Sequence, residues 1–260
     1  MPQQTAKHEL RAPHLVAHRG VPASMPGNTL IGFEAALRAG ARYLELDVQL
    51  TADGAPVLYH DADTLRMSGA AGDLLSRSLA EVKTLRASFP SRFGNRFKDN
   101  PIPSLFEFCE LLAEWPEVTV FVELKRASLN RFGRENMVDA AIRALRTFRN
   151  QAVVISFDAA AVEYASSAHG VRIGWVLPEW NADNQARAEV LAPQYLFCDL
   201  DILPEYDDQI WRGRWQWAVY VVDDPEQALA LSMRGIDLVE TDRIVDMLQH
   251  PLLAERARRG

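Results

Sequence analysis

The stretch Leu44-Glu45-Leu46-Asp47-Val48 alternates apolar and acidic residues. On an extended strand successive side chains point to opposite faces, so Glu45 and Asp47 share one face and Leu44, Leu46 and Val48 the other. Val122-Glu123-Leu124-Lys125 repeats the device with a carboxylate and an ammonium. Isolated buried carboxylates cost several kcal/mol each, so positive charge must accompany them. Three carboxylates with no Cys and no intervening His suit a hard divalent cation, Mg²⁺ or Ca²⁺, better than zinc. A structural ion-pair network of Glu45, Asp47, Glu123, Lys125 and Arg19 is the alternative use of the same charges.

Two histidines add to this pattern. His18 closes the apolar run Leu15-Val16-Ala17 and is followed by Arg19 and Gly20, while His60 closes Val57-Leu58-Tyr59. Two imidazoles that titrate near neutrality, with an arginine fork, a lysine and a divalent cation, can cleave a phosphodiester. One imidazole accepts the attacking proton and the other protonates the leaving alkoxide. Glu45, Asp47 and Glu123 set against Arg19 and Lys125 leave one net negative charge, which repels such a substrate. A divalent cation reverses that sign. His8, His14, His169 and His250 read as ordinary surface or core residues.

These groups need a scaffold that brings distant strands to one place. Eight short apolar runs read as strands: Leu15 to Ala17, Tyr43 to Val48, Thr119 to Leu124, Val153 to Ser156, Arg172 to Val176, Tyr195 to Cys198, Trp217 to Val221 and Leu238 to Glu240. Amphipathic segments alternate with them, among them Thr29 to Ala39, Ser104 to Glu114, Asn136 to Phe148, Ala159 to Ala168 and Pro225 to Met233. Asn28, Ser104, Asp158 and Asp224 are candidate N-caps, and Gly40 and Gly235 stand where helix ends need a left-handed residue. The rhythm predicts an α/β fold, a TIM (β/α)8 barrel with a small insertion after the second strand, its functional residues at the C-terminal strand ends. Residues 1–260 read as one domain with its core at 15–244. The insertion, about 61–103, is Gly- and Arg-bearing with one clear helical piece at Leu79 to Leu85, and it is expected to cover the barrel mouth and touch substrate.

Composition agrees with one large core. The chain has 260 residues, 48% apolar and 24% charged, with 28 Lys and Arg against 35 Asp and Glu for a net charge of −7. An acidic balance argues against a nucleic-acid or anionic-membrane binder. The run Trp217-Ala218-Val219-Tyr220-Val221-Val222 is too short to span a bilayer, so no stable membrane insertion is expected. The first ten residues lack the apolar stretch of a secretory signal, from which a cytoplasmic location is expected. Cys109 and Cys198 lie far apart without zinc-ligand spacing and are expected to be reduced and buried. The sequence carries no signal for an oligomeric state.

An ordered set of motifs also resembles the glycerophosphodiester phosphodiesterases: Ala17-His18-Arg19-Gly20, Pro26-Gly27-Asn28-Thr29, Glu45-Leu46-Asp47-Val48, Asp53-Gly54, His60-Asp61, Ile102-Pro103-Ser104-Leu105, Glu123-Leu124-Lys125, Ile155-Ser156-Phe157-Asp158 and Thr241-Asp242-Arg243. The likeness runs from about Leu15 to Ile244. It implies a TIM barrel that hydrolyses small-molecule glycerophosphodiesters such as glycerophosphocholine to sn-glycerol 3-phosphate and an alcohol. By the same resemblance His18 and His60 do acid and base work, Glu45, Asp47 and Glu123 hold the metal, and Arg19 and Lys125 meet the phosphate.

Two positions depart from the family pattern. Gly27 stands where a Glu is usual, and Tyr220-Val221-Val222-Asp223 stands where a Trp followed by Thr-Val-Asn is frequent. The metal triad and both histidines are present, so activity is expected to survive. Phe89, Phe93 and Phe97, four residues apart in the insertion, would suit lysophospholipids if they line the mouth, and core packing if they do not. A barrel that binds a phosphodiester without cleaving it is the non-enzymatic alternative.

Overall fold

The computed structural model describes residues 12–259; the N-terminal stretch, with His8 and the segment read for a signal, lies outside them. Eight parallel strands form the barrel: β1 His14–His18, β2 Tyr43–Leu50, β4 Thr119–Leu124, β5 Ala152–Ser156, β6 Arg172–Val176, β7 Tyr195–Asp199, β8 Gln216–Tyr220 and β9 Leu238–Thr241. Pairing of β1 with both β9 and β2 closes it. Each predicted strand is found, with ends shifted by two residues at most. One strand was not foreseen: β3, Pro56–Leu58, folds back antiparallel on β2 and aligns Leu58 with Val48. Three residues beginning with Pro give too short a run to register as a strand.

Alternation divides the strand residues between two cores. Leu44, Leu46, Val48, Val120 and Val122 pack outward with the helices. Val16, Phe121, Val153, Ile155, Val176 and Phe197 fill the barrel axis. Phe121 meets Tyr195 and Phe197 edge to face at 4.9 Å each and stacks on Tyr43 at 6.2 Å. This aromatic plug fills the axis on the N-terminal side of Glu123, with Phe121 aligned to Glu45 across β2 and β4. The charged side chains are therefore left at the C-terminal mouth, where strand ends face loops.

Ser104, Asp158 and Asp224 cap helices as expected, each accepting from a backbone N–H three residues on. At the first helix, Leu30–Arg38, the cap is Thr29 instead of Asn28. Asn28 has φ +60°, outside the extended conformation a cap adopts, and its side chain is used elsewhere. Helices Arg126–Phe132, Ala182–Leu191 and Pro251–Arg259 had no clear signal. In Ala182–Leu191 only Ala188 is buried, so no apolar stripe marks it.

Between β3 and the helix Leu105–Leu112, the insertion contains single helical turns at Leu65–Ser68, Leu79–Val82 and Pro90–Phe93 around a small core of Val57, Tyr59, Met67, Leu74, Val82 and Ile102. The turn at Leu79–Val82 falls within the helical piece read at Leu79 to Leu85, while the other two are too short to leave a helical period in the sequence. Both cysteines are free and buried. No helix among the described residues is long and apolar enough to cross a membrane.

Candidate active site

Register places the charged residues side by side. His18 aligns with Glu45 across β1 and β2, and Asp47 with Glu123 across β2 and β4. One carboxylate oxygen each from Glu45, Asp47 and Glu123 lie within 4.8 Å of one another, and all three residues are buried. Above them a cavity of about 200 Å³ is lined by His18, Arg19, Glu45, His60, Glu123 and Lys125. Six of the seven residues singled out from sequence thus line one cavity, and Asp47 is fully buried beneath.

Part of the acidic charge is neutralised by the chain itself. Lys125 Nζ lies 3.0 Å from Asp47 Oδ1 and 2.9 Å from Glu123 Oε1, and Arg19 Nε lies 2.8 Å from Asp47 Oδ2. Burial alone would raise the Asp47 carboxyl, but Arg19 and Lys125 outweigh it and hold it well below the ordinary range. Burial and the neighbouring Asp47 push Glu45 far upward, and burial raises Glu123. The ion-pair network therefore exists, yet it meets only one oxygen of Glu45: Oε2 accepts from the Arg19 N–H at 3.3 Å and lies 3.9 Å from His18 Nε2, while Oε1 is buried without a hydrogen bond. A hard cation fits this donor set because it would satisfy that oxygen and relieve the crowding of carboxylates.

The backbone around the cluster is specialised. Arg19 takes φ +53°, and its N–H donates to the Glu45 carbonyl at 3.0 Å. Asn28 donates from Nδ2 to Asp47 Oδ2 at 2.7 Å and accepts from the Asp47 N–H at 3.1 Å. It thereby fixes both the backbone and the carboxylate of Asp47. Gln49, the fourth inward side chain of β2, donates to the His60 carbonyl at 3.1 Å. At Gly27, a Cβ would come within 3.2 Å of Arg19 Cβ, so the missing side chain leaves room for the arginine stem.

Each histidine is held by a carboxylate. His18 Nδ1 lies 2.6 Å from Asp242 Oδ1, and His60 Nδ1 lies 2.7 Å from Asp61 Oδ1. Arg66 in turn holds Asp61, its Nε 2.6 Å from Oδ2. Nδ1 is engaged in both rings, which leaves Nε2 for chemistry. Burial lowers the His18 pKa, against the hydrogen bond that the ring makes to Asp242. Asp61 and Asp242 lie in motifs visible in the sequence, directly after His60 and after β9, but only the fold pairs them with imidazoles.

Glu240 was also missed. It belongs to β9, is 4% exposed, lines the same cavity, and has Oε1 buried without a hydrogen bond. Burial, then Glu123, push its carboxyl up to about 8. Strict alternation from Leu238, which faces the axis, would have placed it inward. The remaining described histidines are peripheral: His14 packs on the Tyr43 ring, His169 meets Asp139 and His250 lies near Glu226.

The closed parallel barrel with this cluster at its mouth is a TIM barrel, and its relatives make it a phosphoric diester hydrolase. The chain belongs to the glycerophosphoryl diester phosphodiesterase family, whose model matches residues 18–246. A glycerophosphodiester phosphodiesterase of Caldanaerobacter subterraneus subsp. tengcongensis is 29% identical over 234 residues, 88% of this chain and 93% of that one. Glycerophosphodiester phosphodiesterase 1 of Mus musculus is 31% identical over 202 residues, 74% of this chain but 58% of the longer mouse protein. Among solved structures, an Oleispira antarctica phosphodiesterase in complex with the product sn-glycerol-3-phosphate superposes with a TM-score of 0.80 at 26% identity, covering 92% of this chain and 96% of that one.

Proposed function

We propose that the chain hydrolyses glycerophosphodiesters to sn-glycerol 3-phosphate and an alcohol, in a metal-dependent reaction with His18 and His60 as the acid and base pair. The observation that carries this reading is the convergence of two carboxylate-held imidazoles on a cavity whose floor is the Glu45, Asp47 and Glu123 cluster. The product complex of the Oleispira protein supports the same substrate class. Residues 1–260 would act as one catalytic unit, with the 61–103 insertion shaping the mouth.

Glu45, Asp47 and Glu123 would hold Mg²⁺ or Ca²⁺, and Glu45 supplies a carboxylate oxygen that no side chain among the described residues satisfies. A divalent cation there supplies positive charge and polarises a phosphoryl oxygen. Arg19 and Lys125, on opposite sides of Asp47, present their remaining donors to the phosphate and offset its charge. One imidazole takes the proton of the attacking oxygen as the P–O bond forms. The other gives a proton to the alkoxide as the second P–O bond breaks. Asp242 and Asp61 fix the orientation of both rings, so little rearrangement is needed at that moment.

The cytoplasmic location belongs to the same reading, supported by two free buried cysteines, which suit a reducing compartment. A lysophospholipid substrate is less well supported: Phe89 and Met67 line the cavity beside the insertion, but Phe93 and Phe97 stack edge to face instead. The decisive assay measures glycerol 3-phosphate release with added Mg²⁺ or Ca²⁺. Glycerophosphocholine should be cleaved faster than lysophosphatidylcholine, and a chelator should abolish release. Binding of the diester with no product over hours, or full activity under chelation, would overturn the reading.

A further inference from the structure

The last turn of the helix Arg134–Ala144 and the segment that follows it carry Arg143, Arg146 and Arg149, three arginines at intervals of three. All are exposed, and with Asp139, Ile142 and His169 they line a cavity of about 410 Å³, about twice the size of the one over the barrel axis. Helices of this fold run back against the strands. The cavity therefore lies toward the N-terminal ends of β5 and β6, at the end of the barrel away from His18 and Glu45.

Arginines elsewhere in the chain find carboxylates, as Arg38 finds Glu34 and Arg134 finds Asp158. No carboxylate among the described residues forms an ion pair with Arg143, Arg146 or Arg149. Arg149 Nη2 instead donates to the His169 carbonyl at 2.6 Å, which pins this fork across to the end of the helix Ala159–His169. Asp139, the acid in the lining, is engaged by other groups: its Oδ1 lies 2.7 Å from His169 Nε2 and accepts from the Tyr164 hydroxyl at 3.3 Å. Three guanidinium groups less this carboxylate leave two net positive charges even with a neutral imidazole. Like charges one helical turn apart repel, so the arrangement disfavours the folded chain until an anion bridges it.

We infer that this cavity is a second ligand site, for a small polyanion of the phosphate type that carries two or more charges, such as a pyrophosphate group. Planar guanidinium forks match tetrahedral oxyanions, since each can give two parallel N–H bonds to one phosphate. A concave lining that includes the buried Ile142 and the half-buried His169 suits a small molecule better than the flat surface of a bilayer, and the net charge of −7 opposes a general attraction to anionic membranes. No residue of this cavity belongs to the catalytic cluster, so the site stands apart from the diesterase reading.

Inorganic pyrophosphate is titrated calorimetrically into the full chain under chelation, where the catalytic cluster is net negative and repels it. One equivalent should bind, and the double variant Arg143→Gln with Arg146→Gln should bind about tenfold more weakly or worse. Arg38→Gln removes a charge already paired with Glu34 and should leave binding unchanged. Pyrophosphate should also raise the Tm of the parent and not that of the double variant. No binding to the parent, or equal binding to parent and double variant, would overturn the site. An equal loss in Arg38→Gln would overturn it too, by tracing the binding to net charge. Co-sedimentation with phosphatidylglycerol vesicles that depends on Arg143 and Arg146, without pyrophosphate binding, would overturn it in favour of a membrane-facing surface.

Discussion

At His18 two influences oppose each other: burial lowers the imidazole pKa, and the Asp242 hydrogen bond and charge raise it. Asp242→Asn removes the second, so the His18 pKa should fall further. If His18 must be neutral to act, the acidic limb of the kcat/KM profile moves to lower pH, and kcat drops about tenfold as ring orientation is lost. A pH–rate series decides this, and an unmoved limb would show that Asp242 does not tune the ring. His18→Ala and His60→Ala should each lose at least about a hundredfold in turnover, with an unchanged circular dichroism spectrum. Residual activity within tenfold of the parent in either variant would remove that histidine from the proton-transfer pair. The sequence showed which residues carry charge and which titrate. It did not show that Asp61, Asp242 and Asn28 are bound to His60, His18 and Asp47, because two of those three contacts join segments 19 or more residues apart.

At the scale of the elements, the turn from β1 into the first helix positions Arg19, Asn28 and Thr29. Gly20 there has φ +91°, and a Cβ on it would lie 2.7 Å from the Gly32 carbonyl carbon in that helix. Gly40, at the far end of the same helix, has φ +103° with nothing within 4 Å of its added Cβ. Gly20→Ala is therefore expected to cost more than about 2 kcal/mol, through backbone overlap as well as strain. Gly40→Ala should cost about 1 kcal/mol from strain alone. Urea denaturation midpoints would separate the two, and equal costs would contradict the close packing of the Gly20 turn against the helix. Most strands were legible as short apolar runs buried on both faces, and β2 by its alternation of apolar and acidic residues. Ala182–Leu191 and β3 were not, since one buries a single side chain and the other has three residues.

For the molecule as a whole, the cluster trades stability for a binding site. Glu45, Glu123 and Glu240 have raised pKa values, so the folded state holds protons that the unfolded chain releases. Stability from Glu240 is present below the ordinary carboxyl value of 4.5 and is lost as pH rises toward about 8. The chelated protein should accordingly melt at lower temperature at pH 8 than at pH 6. Mg²⁺ or Ca²⁺ should raise Tm at both, and more at pH 8, where fewer protons compete. At a hundred times Kd the gain is about 2.7 kcal/mol, several degrees for a chain of this size. Calorimetric scans with metal and with chelator test this, and a metal-independent Tm would rule out a cation at these carboxylates.

Taken alone, the sequence determined the eight alternating strands, the inward direction of Glu45, Asp47 and Glu123, and the two histidines that close apolar runs. Those features follow from alternation and from local apolar patterning, which neighbouring residues encode among themselves. Only the tertiary structure decided the rest: that Lys125 and Arg19 neutralise Asp47 but not Glu45, that each imidazole has its own carboxylate, and that Glu240 closes the ring of charge from the last strand. Barrel closure brings β9 beside β1 across more than two hundred residues. Which charges meet after such a closure depends on strand register and side-chain reach, and no local pattern in the chain specifies either.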